Sequence, residues 1–76
     1  MVYEKIRDII SIQFNIDKQE ITMKTDFRKD LGADSIDLVE LIMSLEEEFD
    51  LEVEDEEVEN INTVEDAVEY INNILD

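Results

Sequence analysis

The sequence predicts an all-α fold: a small bundle of three main helices plus one short helix, with a long loop after the first. Three observations carry this. Apolar residues recur at helical spacing in three separate stretches. The only glycine, Gly32, falls just before the middle stretch, and cap-forming residues precede the middle and last ones. A chain of 76 residues has room for one core, so residues 1–76 are expected to form a single domain.

The first helix is expected over Val2 to Phe14. Val2, Ile6, Ile9, Ile10 and Gln13 fall on one face, with Gln13 the polar exception, and Tyr3 and Phe14 widen it. It reads as a core face without chemistry. Residues 15 to 34 carry Ile16, Ile21, Met23, Phe27 and Leu31 at intervals, enough to pin a long loop against the helices. Asp17 and Glu20 can cap a single turn within it.

The second helix is expected from Ser35 to Phe49. Gly32 marks a turn before it. Asp34 or Ser35 can cap it, and Asp37, three residues after Asp34, allows a capping box. Its bland reading makes Ser35 an ordinary cap. Leu38, Leu41, Ile42, Leu45 and Phe49 form the core stripe. Ile36, Val39 and Met43 form a second apolar stripe, flanked by Glu40, Glu46, Glu47 and Asp50. One stripe suffices for a surface helix. The second is either partly buried against the loop or third helix, or a contact zone rimmed by carboxylates. In the latter the acids steer a partner and the apolar centre supplies desolvation, with Met43 adaptable to different partners.

A short third helix is expected over Asp55 to Asn60, anchored only by Val53, Val58 and Ile61. So few apolar contacts predict local mobility. Thr63 reads as the cap of a fourth helix, whose stripe is Val64, Ala67, Val68, Ile71, Ile74 and Leu75.

The charge is lopsided. Residues 1–29 hold six basic and five acidic residues, net +1, while residues 30–76 hold eighteen acidic and no basic residues, net −18. The whole chain carries −17. Such a surface repels nucleic acid and anionic membranes, and a partner should bring a basic patch. Solubility alone is the plainer explanation of the acids. No window is long enough for a membrane span, and no secretory signal is visible. A cytoplasmic protein is expected, with bacterial cytosol and organelle both left open by the sequence.

Self-contained catalysis is not expected. Histidine and cysteine are both absent, so Ser35 has no partner for a hydrolase triad, and no thiolate zinc site exists. Neither acidic run fits a calcium-binding loop: counted from Asp30 the glycine position is Ser35, and counted from Asp50 it is Asp55. Weak, delocalised divalent-cation binding is expected of so acidic a surface, with no defined metal site.

The segment from Leu31 to Leu41, with the triplet Asp34-Ser35-Ile36 at its centre, resembles the acyl carrier protein family. The likeness runs on through Met43 to Phe49 and, more loosely, to Thr63–Ala67. In that family an Asp-Ser-Leu triplet carries 4′-phosphopantetheine on its serine. Ile36 stands in the leucine position and keeps its apolar character, while Glu54 stands where the family often has proline. The family also has a long ordered first loop.

The resemblance implies that a phosphopantetheinyl transferase moves the group from coenzyme A onto Ser35, within the motif residues Asp34 and Ile36. The arm's thiol would then hold acyl chains as thioesters. A phosphate there would meet free N–H groups and the positive end of the helix dipole. The resemblance also implies a recognition surface at Ile36, Val39, Glu40, Met43 and Glu47, extended by Asp37 and Glu46, for fatty acid synthesis enzymes with basic docking patches. A core including Phe27, Leu41, Leu45, Phe49, Ile61, Ala67 and Ile71 would part to shelter the acyl chain. A monomer is expected. Two alternatives stay open: a carrier for polyketide, nonribosomal peptide or aminoacyl chemistry, and an unmodified acidic binding module in which Ser35 is only a cap.

Overall fold

The structure is a computed structural model that describes residues 2–75. Four α-helices follow in order: α1 (Val2–Phe14), α2 (Ser35–Phe49), α3 (Asp55–Val58) and α4 (Val64–Leu75). A single 3-10 turn, Lys18–Glu20, interrupts the loop between α1 and α2. The three long helices match the bounds expected from apolar spacing. α3 is shorter than expected, ending at Val58. The N–H groups of Asn60 and Ile61 bond three residues back, to Glu57 and Val58, so the chain tightens instead of continuing as an α-helix. Its first turn also lacks a side-chain cap, with Glu54 in the cap position.

α1 packs against both α2 and α4, and α3 packs on α2. Ile6 and Ile10 of α1 meet Leu38, Leu41, Ile42 and Leu45 of α2 and Val64, Ala67, Val68 and Ile71 of α4, and the loop adds Ile21, Phe27 and Ala33. Each fully buried large aliphatic here contributes roughly 1.5–3 kcal/mol relative to its exposed state.

The long loop is held as the apolar spacing implied. Ile21 and Phe27 are buried, while Ile16, Met23 and Leu31 pack part-buried on the core. Asp17 caps the 3-10 turn through Gln19 N–H; Glu20 lies inside the turn. Hydrogen bonds from the N–H groups of Phe27, Val64 and Glu65 to the carbonyls of Asn62, Thr25 and Met23 stitch the loop to the start of α4. There the expected Thr63 cap is present. Its Oγ1 accepts from Asp66 N–H, and the Asp66 carboxylate accepts from the N–H groups of Asn62 and Thr63.

Two α-helices end in left-handed residues that are not glycine, Asn15 (φ 55°) and Asp50 (φ 52°), the side-chain types that tolerate this region best. Asp50 N–H and Leu51 N–H both donate to the Glu46 carbonyl, closing α2.

Candidate functional site

The site is built by the loop that delivers the chain to α2. Asp26 starts it: its Oδ1 accepts from the N–H groups of Arg28 and Lys29, and its own N–H donates to Asp30 Oδ2 at 2.7 Å. Ala33 N–H then donates to the Phe27 carbonyl, and Ala33 is buried. Between them Gly32 takes φ +66°. A Cβ on Gly32 would meet nothing within 4 Å, so backbone conformation rather than space calls for glycine here.

This turn presents Asp34 in an extended conformation, φ −101°, ψ −174°, as the residue capping α2. Asp34 Oδ1 accepts from Asp37 N–H at 2.9 Å, and Asp37 Oδ2 accepts from Asp34 N–H at 3.1 Å. The box allowed by the sequence is therefore complete, and Asp34 takes the role left open between Asp34 and Ser35. The bland reading of Ser35 as the cap is corrected. Ser35 is the first residue of the helix proper and is exposed. Its hydroxyl is not engaged in the capping.

Beside Ser35 lies a cleft of about 210 Å³, lined by Arg28, Leu38, Val39, Asp55, Val58 and Glu59 as well as Ser35 itself. It separates α2 from α3. Leu38 belongs to both cleft and core, being only 1% exposed. A larger open groove, about 510 Å³, runs between α1 and α2 past Ile9, Ile12, Gln13, Glu40, Ser44, Glu47 and Glu48. It does not include Ser35, so the smaller cleft is the one bearing on chemistry there.

The second apolar stripe is uncovered. Ile36 is 68%, Val39 47% and Met43 55% exposed, so neither the loop nor α3 buries it. Glu40 and Glu47 are exposed along one edge. Two other acids on this helix are tied inward. The Asp37 carboxylate belongs to the cap, and Glu46 Oε2 accepts from Val53 N–H at 2.9 Å, securing the link between α2 and α3.

Of the residues expected to shelter an acyl chain, Phe27, Leu41, Leu45, Ile61, Ala67 and Ile71 are buried in one cluster. Phe49 is part-buried at its margin, with the Lys5 ammonium 5.9 Å from its ring centroid. Leu38 and Val58 are read from sequence only as packing residues and Arg28 is not singled out at all, yet all three line the cleft. Leu38 follows Ser35 by one helical turn and could have been found. Val58 and Arg28 reach the cleft only through the packing of α3 and the loop.

An acidic helical bundle that presents a serine at a helix mouth, backed by a capped turn and a cleft, is a scaffold for a carried group. The family model described as the phosphopantetheine attachment site matches residues 4–71. The chain is 59% identical over 71 residues to the acyl carrier protein of Clostridium acetobutylicum, covering 93% of this chain and 92% of that protein. It also superposes on the solved acyl carrier protein of Enterococcus faecalis with a TM-score of 0.78 and 43% identity, over 92% of this chain and 89% of that one. The chain belongs to the acyl carrier protein family, and its cofactor is 4′-phosphopantetheine. Among the described residues no helix is long and apolar enough to cross a membrane.

Proposed function

We propose that Ser35 is the attachment residue and that the loaded chain carries acyl intermediates of fatty acid synthesis as thioesters in the cytoplasm, without catalysis of its own. The observation that carries this reading is the division of labour at the start of α2: Asp34 holds the cap, which leaves the Ser35 hydroxyl exposed at the mouth of a cleft. In the attachment step Ser35 Oγ bonds to the pantetheine-side phosphorus of coenzyme A. The pyrophosphate bond breaks, the nucleotide bisphosphate leaves, and the serine proton passes to a base.

When bound, the arm supplies the thiol that the cysteine-free chain lacks. The chain's own residues then position it. On this reading the capped turn supports the arm's root, and Leu38, which lines the cleft and belongs to the core, lies where an acyl chain would enter. The exposed stripe of Ile36, Val39 and Met43, edged by Glu40 and Glu47, suits a partner with a basic rim around an apolar centre. The continuous acidity of α2 favours the enzymes of fatty acid synthesis among possible users.

The test is intact mass after incubation of the apo protein with coenzyme A and a phosphopantetheinyl transferase. The parent should gain one phosphopantetheine and Ser35→Ala none. Loading of Ser35→Ala on Ser11 or Ser44 would overturn the assignment. The structure argues against both: Ser11 Oγ donates to the Ile16 carbonyl at 2.6 Å, and Ser44 is half-buried.

A further inference from the structure

Among the described residues, Arg28 is the one basic residue lining the cleft that holds Ser35. Lys29 shares its anchor, since both main-chain N–H groups bond Asp26 Oδ1, yet Lys29 does not line the cleft. The other charged residues around Ser35 are acids. Asp34 and Asp37 flank it in the cap, and Asp55 and Glu59 face it across the cleft. Among the described residues the ion pair within 4.0 Å is Lys18–Asp8, so neither Asp55 nor Glu59 holds the guanidinium.

A phosphodiester on Ser35 would enter an unusually anionic setting. The helix terminus offers less than usual. The Asp37 N–H is already taken by Asp34, and both cap carboxylates oppose a further negative charge. What remains as a counter-charge is Arg28. A phosphodiester has two non-bridging oxygens, and a guanidinium presents two parallel N–H donors that match them, which an ammonium does not.

We propose that Arg28 is the counter-charge of the phosphodiester on Ser35 and holds the root of the arm in the cleft between α2 and α3. This rests on the attachment reading above. Arg28 acts as a positioning residue: it orients the arm and takes no part in thioester chemistry. An exposed pair of this kind weakens as salt rises.

The experiment uses full-length protein loaded with coenzyme A and transferase, with loading checked by intact mass, for the parent, Arg28→Gln, Arg28→Lys and Lys29→Gln. The phosphodiester is then followed by ³¹P NMR across a sodium chloride titration. The expected result is a resolved ³¹P shift in Arg28→Gln with loss of most of the salt response, partial return in Arg28→Lys, and a parent-like signal in Lys29→Gln. In the parent, the Arg28 side-chain Nε–Hε signal should also move between apo and loaded forms. This readout needs no variant, so it decides the matter if Arg28→Gln loads slowly. An Arg28→Gln resonance with parent-like position and salt response, or an equal change in Lys29→Gln, overturns the proposal. A parent that gains no mass overturns the attachment reading instead, and the two failures are distinct.

Discussion

The side-chain amide of Gln13, near the end of α1, donates a 2.8 Å hydrogen bond to the main-chain carbonyl of Asp37, in the first turn of α2. The polar exception on the apolar face of α1 is thus a strut. It joins two residues 24 apart in sequence, one on each helix, and braces the first turn of α2.

Removing the strut should loosen the start of α2 selectively. The Asp37 carbonyl keeps its own helical partner four residues on, so no buried group is orphaned. Gln13→Ala should cost about 0.5–1.5 kcal/mol in urea unfolding. Amide hydrogen exchange should rise at the α2 first turn more than in α4. Uniform exchange changes across the bundle would show that Gln13 has no such local role.

The cap gives a pair of contrasting substitutions. Asp34→Ala removes the Oδ1 acceptor and should destabilise by about 0.5–2 kcal/mol. Ser35→Ala removes an exposed hydroxyl outside the cap and should stay within about 0.5 kcal/mol of the parent. Chemical denaturation monitored by circular dichroism measures both. Equal losses would mean the two residues share the cap.

Gly32 should resist replacement for backbone reasons alone. Gly32→Ala places a Cβ in open space but holds it at φ +66°, a left-handed conformation costing roughly 1–2 kcal/mol. A denaturation midpoint unchanged by this substitution would show that the turn relaxes to another conformation.

The acids of residues 30–76 should make stability salt-dependent. Monovalent salt should raise Tm by screening repulsion, and Mg²⁺ should raise it further at equal ionic strength. Differential scanning calorimetry across the titration reads this directly. A flat or falling Tm would mean the carboxylates are compensated within the fold.

The exposed stripe and its acidic edge should separate kinetically. Glu40→Lys and Glu47→Lys should lower kon for a phosphopantetheinyl transferase several-fold and flatten its salt dependence. Met43→Ala should instead raise koff, at a cost of about 1 kcal/mol. Surface plasmon resonance at two ionic strengths gives both rates, with circular dichroism as the folding control. Reversed variants that bind like the parent would leave solubility as the sole role of the α2 acids.

The proposed attachment motif and the apolar stripe around it are legible in the sequence because both are local. Ser35, Asp34 and Ile36 are consecutive, and the stripe of Ile36, Val39 and Met43 recurs within one helix. Spacing already offered Asp37 as the partner of Asp34 in a capping box, and the structure completes it. What spacing did not reveal was the use of Glu46, which looks like an edge charge on a helical wheel yet bonds Val53 N–H. Only the path of the chain after Phe49 brings Val53 back to Glu46.

The same division holds for the molecule. Helical periodicity and cap residues are short-range properties, so the bounds of α1, α2 and α4 could be read from residue order alone. Three things depended on tertiary structure. The assignment of the cap to Asp34 follows from the 26–33 loop segment, whose bond from Ala33 N–H to the Phe27 carbonyl sets how the chain meets α2. The exposure of the second stripe was decided by where the loop and α3 pack, since neither buries Ile36, Val39 or Met43. The placing of Arg28 and Ser35 on one cleft follows from the packing of the loop and α3 against α2. Each joins residues whose separation along the chain carries no periodic signal, so packing alone decides it.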